Sequence, residues 1–154
     1  MAWTKKEQNL LKDLQAEEKL CAEKYTKAAG AACDPKLKTM LSQIGKAEQN
    51  HYETVSQMLA GTVPSPQATQ PKPQNGAKQQ KDLRSAANRA GKKQDAYLLA
   101  DLLATEKYVS AVYNTSVFEF SDEKSRQVLS GIQQQEQHHG KQLADYMQAN
   151  GMYC

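Results

Sequence analysis

The chain has 154 residues, 39% hydrophobic and 6% aromatic, and a formal net charge of +3. That length suits one domain, and so modest an apolar complement suits a helical bundle with one apolar stripe per helix. No run approaches the roughly 18 apolar residues needed to cross a membrane. The opening MAWTKKEQNLL has neither the apolar stretch nor the cleavage site of a secretion signal. Cys21, Cys33 and Cys154 are odd in number and form no CxxC, which argues against a disulfide framework and a structural zinc site. The expectation is a protein kept inside the cell that makes it, with no membrane and no nucleic-acid partner. Its basic character belongs to one segment: residues 62–93 carry seven Lys/Arg and one Asp, so they are +6 and the remainder −3.

The first helix is predicted to open at Thr4, with Glu7 completing a capping box. Its inner stripe runs Leu11, Leu14, Glu18, Cys21, Tyr25, Ala28 at alternating spacings of three and four. Asp34-Pro35 reads as an N-cap followed by proline at the first helical position. It opens a second helix with the stripe Leu37, Leu41, Ile44, Glu48, His51, Val55, Met58, stopped near Gly61. Residues 62–93, rich in Pro, Gln, Lys and small side chains, read as a linker with a short helix around 77–90. A third helix carries Leu99, Leu102, Glu106, Val109, Tyr113 and Phe120. Ser121 or Asp122 caps a fourth with the stripe Leu129, Ile132, Glu136, His139, Leu143, Tyr146, ending at Asn150-Gly151. Strand signals are absent.

Sliding the chain by 88 residues aligns 10–59 with 98–147 without a gap, and 16 of the 50 aligned pairs are identical. Glu18/Glu106, Tyr25/Tyr113, Asp34/Asp122, Glu48/Glu136 and His51/His139 are among them. The reading is an all-α single domain over 1–154: a duplicated helical hairpin, with copies at 4–61 and 94–150, joined by the crossover 62–93. A helix of roughly 27 residues measures about 40 Å at 1.5 Å per residue, a distance the linker can span. The second hairpin then packs on the first about a pseudo-twofold axis as a four-helix bundle.

Each of the four stripes is broken near its middle by a glutamate, and two add a histidine one turn later on the same face. Packing brings Glu18, Glu48, His51, Glu106, Glu136 and His139 to the bundle centre. An unpaired buried charge costs several kcal/mol. Two divalent cations remove the difficulty, since four carboxylates supply −4 and neutral imidazoles bind. One glutamate from each of two helices and Glu-x-x-His from each of the other two is the ligand set of dinuclear iron or manganese bundles, and mixed carboxylate and imidazole donors suit those metals. A single Glu-x-x-His is more often an exposed surface pair. Two copies in register, each on an apolar stripe and each with a partner glutamate, favour two iron or two manganese ions. Glu17 lies off the stripe and is assigned to solvent, and His138 to the surface. Tyr25, two turns after Glu18, reads equally as a core aromatic or as a hydrogen-bond partner of a bridging carboxylate. For Tyr113 the core-aromatic reading is preferred. Cys21 aligns with Val109 and reads as a small core residue. Cys154 reads as an exposed tail thiol.

At these residues the chain resembles the ferritin-like superfamily: Glu18, Glu48-x-x-His51, a long crossover, Glu106, Glu136-x-x-His139, with Tyr25 where ferritins carry a tyrosine near their di-iron site. Within it, LLKDLQAEEKLCAEKY, TEKYVSAVYNTSVFEF and the ending YMQANGMY resemble the coat F family of spore coat proteins, over both hairpins. The resemblance implies a location in the sporulating cell and then the spore coat, with other coat proteins or further copies of itself as partners. It implies no known reaction. Two functional classes follow. One is a metalloprotein whose dinuclear iron or manganese centre acts on oxygen or peroxide, with Glu48 and Glu136 bridging, Glu18 with His51 completing one metal and Glu106 with His139 the other. The other is a structural coat protein whose metal, if bound, only ties helices together.

Overall fold

A computed structural model of the protein describes residues 2–66 and 82–153. It contains four helices and, among the described residues, no strand: α1 (Lys5–Ala31), α2 (Pro35–Leu59), α3 (Arg89–Glu119) and α4 (Glu123–Ala149). The helix starts follow from local chemistry. Thr4 accepts from the Glu7 N–H while Glu7 accepts from the Thr4 N–H, the expected capping box. Asp34 and Asp122 cap α2 and α4, so Asp122 and not Ser121 takes that position. Gly61, at φ 97°, follows the end of α2 in the left-handed region that favours glycine.

The sequence reading of the linker is corrected at its C-terminal end. Residues 82–88 are not helical, and α3 begins at Arg89, inside the segment assigned to the crossover. The reason is Asn88, whose side chain accepts from the Gly91 N–H and starts the helix there. Residues 77–81 of the expected short helix lie outside the described residues, as does Cys154.

The helices pack as a bundle. Lys6 pairs with Glu119 and Lys24 with Asp101, so α1 and α3 run antiparallel. His51 reaches Glu136 and His139 reaches Glu48, so α2 and α4 do too. One end is closed by Trp3, which donates to the Met58 carbonyl and packs edge-on against Phe120. At the other end Tyr146 donates to Asp34 at 2.6 Å, and the Asn150 side chain holds both the Leu83 carbonyl and the Ser85 N–H at 2.8 Å. Residues 83–86 therefore lie over the α1–α2 turn, at the end of the bundle opposite the end of α2.

Two buried acids tie each hairpin to the turn of the other. Asp95 on α3 accepts from the Cys33 and Asp34 N–H groups at 2.8 and 3.1 Å. Glu7 on α1 accepts from the Ser121 N–H and hydroxyl at 3.3 and 3.4 Å. Glu7 and Asp95, like Cys33 and Ser121, are related by the same 88-residue offset. Gly91 lies buried against this contact: a Cβ there would stand 3.0 Å from Cys33 Cβ.

Every residue of the four predicted stripes is buried, Cys21 included. The apolar residues form two clusters. One is built on Tyr25, Leu37, Leu41, Leu99 and Tyr146, the other on Leu11, Leu14, Val55, Tyr113 and Ile132. The six polar stripe residues belong to neither and form a layer between them.

Candidate metal centre

The helical period places Glu18, Glu48, Glu106 and Glu136 inward, and the three-residue step adds His51 and His139 on the same faces as Glu48 and Glu136. The carboxylates are 0–3% exposed. The structure brings all six side chains together in two overlapping groups. Glu18, Glu48, His51 and Glu136 present ligand atoms within 4.8 Å of one another, and so do Glu48, Glu106, Glu136 and His139. Glu48 and Glu136 belong to both.

The two imidazoles face the carboxylates in the same way. His51 Nδ1 lies 2.8 Å from Glu136, 3.3 Å from Glu48 and 3.6 Å from Glu18. His139 Nδ1 lies 2.9 Å from Glu48, 3.4 Å from Glu136 and 3.7 Å from Glu106. The rings stack with centroids 5.9 Å apart. Outside this layer, Tyr25 donates to Glu106 and Tyr113 donates to Glu18, each at 2.5 Å. Tyr113 thus has the same relation to the cluster as Tyr25, although its sequence reading favoured a plain core aromatic. Burial and the adjacent carboxylates push both phenols well above their ordinary range.

The electrostatics of the cluster's own groups bear on what it could hold. Burial and then the Glu48 charge push Glu18 up to about 8. Burial, with Glu48 again contributing, pushes Glu106 up to about 7. Glu136 stands well above its ordinary value, from burial and then from Glu18. Burial would raise Glu48 too, but hydrogen bonds from His139 and His51 hold it well below. His51, despite burial, is pushed up to about 10 by Glu18 and Glu48. Glu18 Oε2, Glu106 Oε2 and Glu136 Oε2 are buried without a hydrogen bond. Buried carboxylate oxygens in that condition are costly. Two divalent cations would satisfy them, displace the retained protons and balance four negative charges, so the donor set fits a dinuclear iron or manganese site.

Two features were not read from the sequence. Gln135 Oε1 lies 2.6 Å from His51 Nε2. With Nε2–H donating to it, the Nδ1 lone pair is directed at the carboxylates, as a metal ligand requires. Gln135 sits beside Glu136 and aligns with Ala47, so neither stripe nor repeat marks it. The second is the Glu7 and Asp95 pair, whose one available signal was that each extends its stripe one turn backward, four residues before Leu11 and Leu99. Glu17, assigned to solvent, is half-buried but outside both ligand groups, and His138 is exposed.

Fold and site define a helical bundle with a buried carboxylate and imidazole cluster at its centre. Residues 94–153 match the family model of the Coat F domain, which supports a coat F family protein. The match takes in Glu106, Glu136 and His139; the sequence resemblance had extended to the first hairpin as well. No curated protein and no solved structure matches the chain. No described helix is long and apolar enough to cross a membrane.

Proposed function

We propose that the chain is a spore-coat-type protein of ferritin-like architecture, built from two duplicated hairpins, that holds a dinuclear iron or manganese centre reacting with oxygen or peroxide in protection of the spore. The Coat F match supports the setting, and with it other coat proteins as partners. The observation that carries the metal reading is that two four-residue ligand groups share Glu48 and Glu136. Glu18 and His51 would complete one metal, Glu106 and His139 the other. Iron or manganese held by such donors supplies redox chemistry toward oxygen or peroxide. The chain's own residues set the conditions. Tyr25 and Tyr113 fix Glu106 and Glu18, Gln135 orients His51, and the apolar clusters on either side keep out bulk water. Two surface clefts of about 410 and 400 Å³ are lined by none of the six ligands, so a large organic substrate finds no seat at the cluster in either.

The same burial favours a second reading, a structural coat component whose metal joins four helices. Metal analysis of protein purified from its native host tests the shared premise, with two iron or manganese ions expected per chain. Glu48→Ala with Glu136→Ala should abolish binding, because both metals lose their shared ligands; two tightly held metals in that variant would refute the ligand assignment. Oxygen and peroxide consumption by the iron- and manganese-loaded forms then separates the classes. If neither form outpaces free metal, the structural reading stands.

A further inference from the structure

The six proposed ligands are related in pairs by the 88-residue repeat, and so are the tyrosines that donate to Glu106 and Glu18. The two histidines stand alike toward the carboxylates, with closest contacts of 2.8 and 2.9 Å. On their outer sides they differ. His51 Nε2 faces Gln135 Oε1 at 2.6 Å, a bond that crosses from α2 to α4. The repeat sets Ala47 at the corresponding place for His139, and a methyl group accepts no hydrogen bond. His139 Nε2 accordingly has no partner among the described residues. The residue after each histidine differs too: Tyr52, half-buried, on α2 and Gly140 on α4. His139 is 6% exposed and Glu106 3%, against 2% for His51 and 0% for Glu18. The layer is thus closed at His51 and opens toward solvent at His139.

We infer that the two metal positions are unequal: the His51 position binds first and more firmly, the His139 position binds second and exchanges with solvent, and Gln135 is the positioning residue that ranks them. This rests on the metal reading above. A neutral imidazole has one N–H and one lone pair, and the acceptor at one nitrogen decides which nitrogen is left to bind metal. Gln135 holds the His51 proton at Nε2 and the ring with it, so Nδ1 is turned toward the carboxylates in advance. His139 has no such guide, and its proton and ring are fixed only as a cation binds. A partner of this kind is worth about 10–100-fold in metal affinity. Cys21, which aligns with Val109, is a second difference near the cluster, but both side chains are buried in the same apolar cluster.

Histidine NMR of the full chain tests this without any measurement of activity. The chain has three histidines, and exposed His138 serves as the reference. Zinc(II) is the probe, being diamagnetic and bound by such donors more tightly than iron(II) or manganese(II). With one equivalent, His51 Nδ1 should reach its metal-bound shift in about nine-tenths or more of the molecules, as a tenfold preference requires. His139 should follow with the second equivalent. Gln135→Leu should weaken the first position by about 10–100-fold, so that the first equivalent is shared or goes to His139. Gln135→Glu, which keeps an acceptor, should preserve the wild-type order, and so should Cys21→Val. Simultaneous movement of both rings in the wild type, an order indifferent to Gln135→Leu, or an order abolished by Cys21→Val overturns the inference and leaves the metal reading in place. If excess zinc moves neither His51 nor His139, the metal reading fails and the inference with it.

Discussion

Tyr25 on α1 donates its hydroxyl to Glu106 on α3 at 2.5 Å, and the partners related to them by 88 positions, Tyr113 and Glu18, make the same bond in the opposite direction. Each hairpin therefore supplies the group that steadies a carboxylate of the other. Each phenol is bonded to a carboxylate and is not among the six proposed ligands. Tyr25→Phe and Tyr113→Phe should each retain two metals per chain while changing the rate at which the iron(II)-loaded protein consumes oxygen, if the centre is redox-active. Each should also cost about 1–3 kcal/mol of metal-free stability, since a buried carboxylate oxygen loses its donor. Metal analysis, an oxygen electrode and thermal melts read the three effects. Unchanged oxygen rates in both variants of an active protein would assign the tyrosines to packing alone.

Metal-free stability should fall as pH rises. Glu18 and Glu106 stand at about 8 and about 7 in the fold against an ordinary 4.5, raised first by burial. A raised carboxyl contributes stability that is fully present below 4.5 and is lost as pH rises through its folded value. His51, raised from 6.5 to about 10, has the same sign over a higher window. Glu48 is lowered, so its contribution is lost only as pH falls through its depressed value. The chelated protein should melt lower at pH 8 than at pH 5.5, by several degrees at roughly 2–4 °C per kcal/mol.

Metal should act oppositely, because it replaces those protons and binds more tightly once they have left. When free metal exceeds its dissociation constant a thousandfold, the folded state gains about 4 kcal/mol. The gap between loaded and chelated melting temperatures should thus widen from pH 5.5 to pH 8. A gap that is absent, or that narrows with pH, would contradict the site.

Asp95→Ala should destabilise the bundle by about 2–3 kcal/mol, because the Cys33 and Asp34 N–H groups lose their acceptor, the Asp34 bond being buried. Glu7→Ala should cost about 1–2 kcal/mol, since the Thr4 N–H and the Ser121 N–H and hydroxyl lose their acceptor while the Thr4 cap on the residue-7 N–H stays. Denaturant unfolding measures both. The two positions hold opposite ends of the bundle, so their effects should add in the double variant.

The helices and the six clustered residues were legible because each charged residue interrupts an otherwise apolar stripe, and burying a charge on such a face requires compensation. Tyr25 was legible as a candidate because it lies on the Glu18 stripe. Asp95 was not, because its partners are backbone N–H groups of a turn 61 and 62 positions away, and such groups carry no signature in side-chain pattern. Glu7 had a sufficient local explanation as a capping residue, which concealed its second role. The start of α3 was missed because Gly91 in its first turn reads as linker composition. Glycine there accommodates the close approach of Cys33, whose Cβ would stand 3.0 Å from an added Cβ.

Each four-residue ligand group spans the two hairpins: Glu18, Glu48 and His51 need Glu136, and Glu106, Glu136 and His139 need Glu48. Neither group exists in a chain that has emerged from the ribosome only as far as α3, because both require Glu136. Capture of a cation by a complete group therefore waits until α4 has been made and the two hairpins have met. On the proposed reading, the cation would act as a latch on the closed bundle, leaving a lone first hairpin without a complete redox centre.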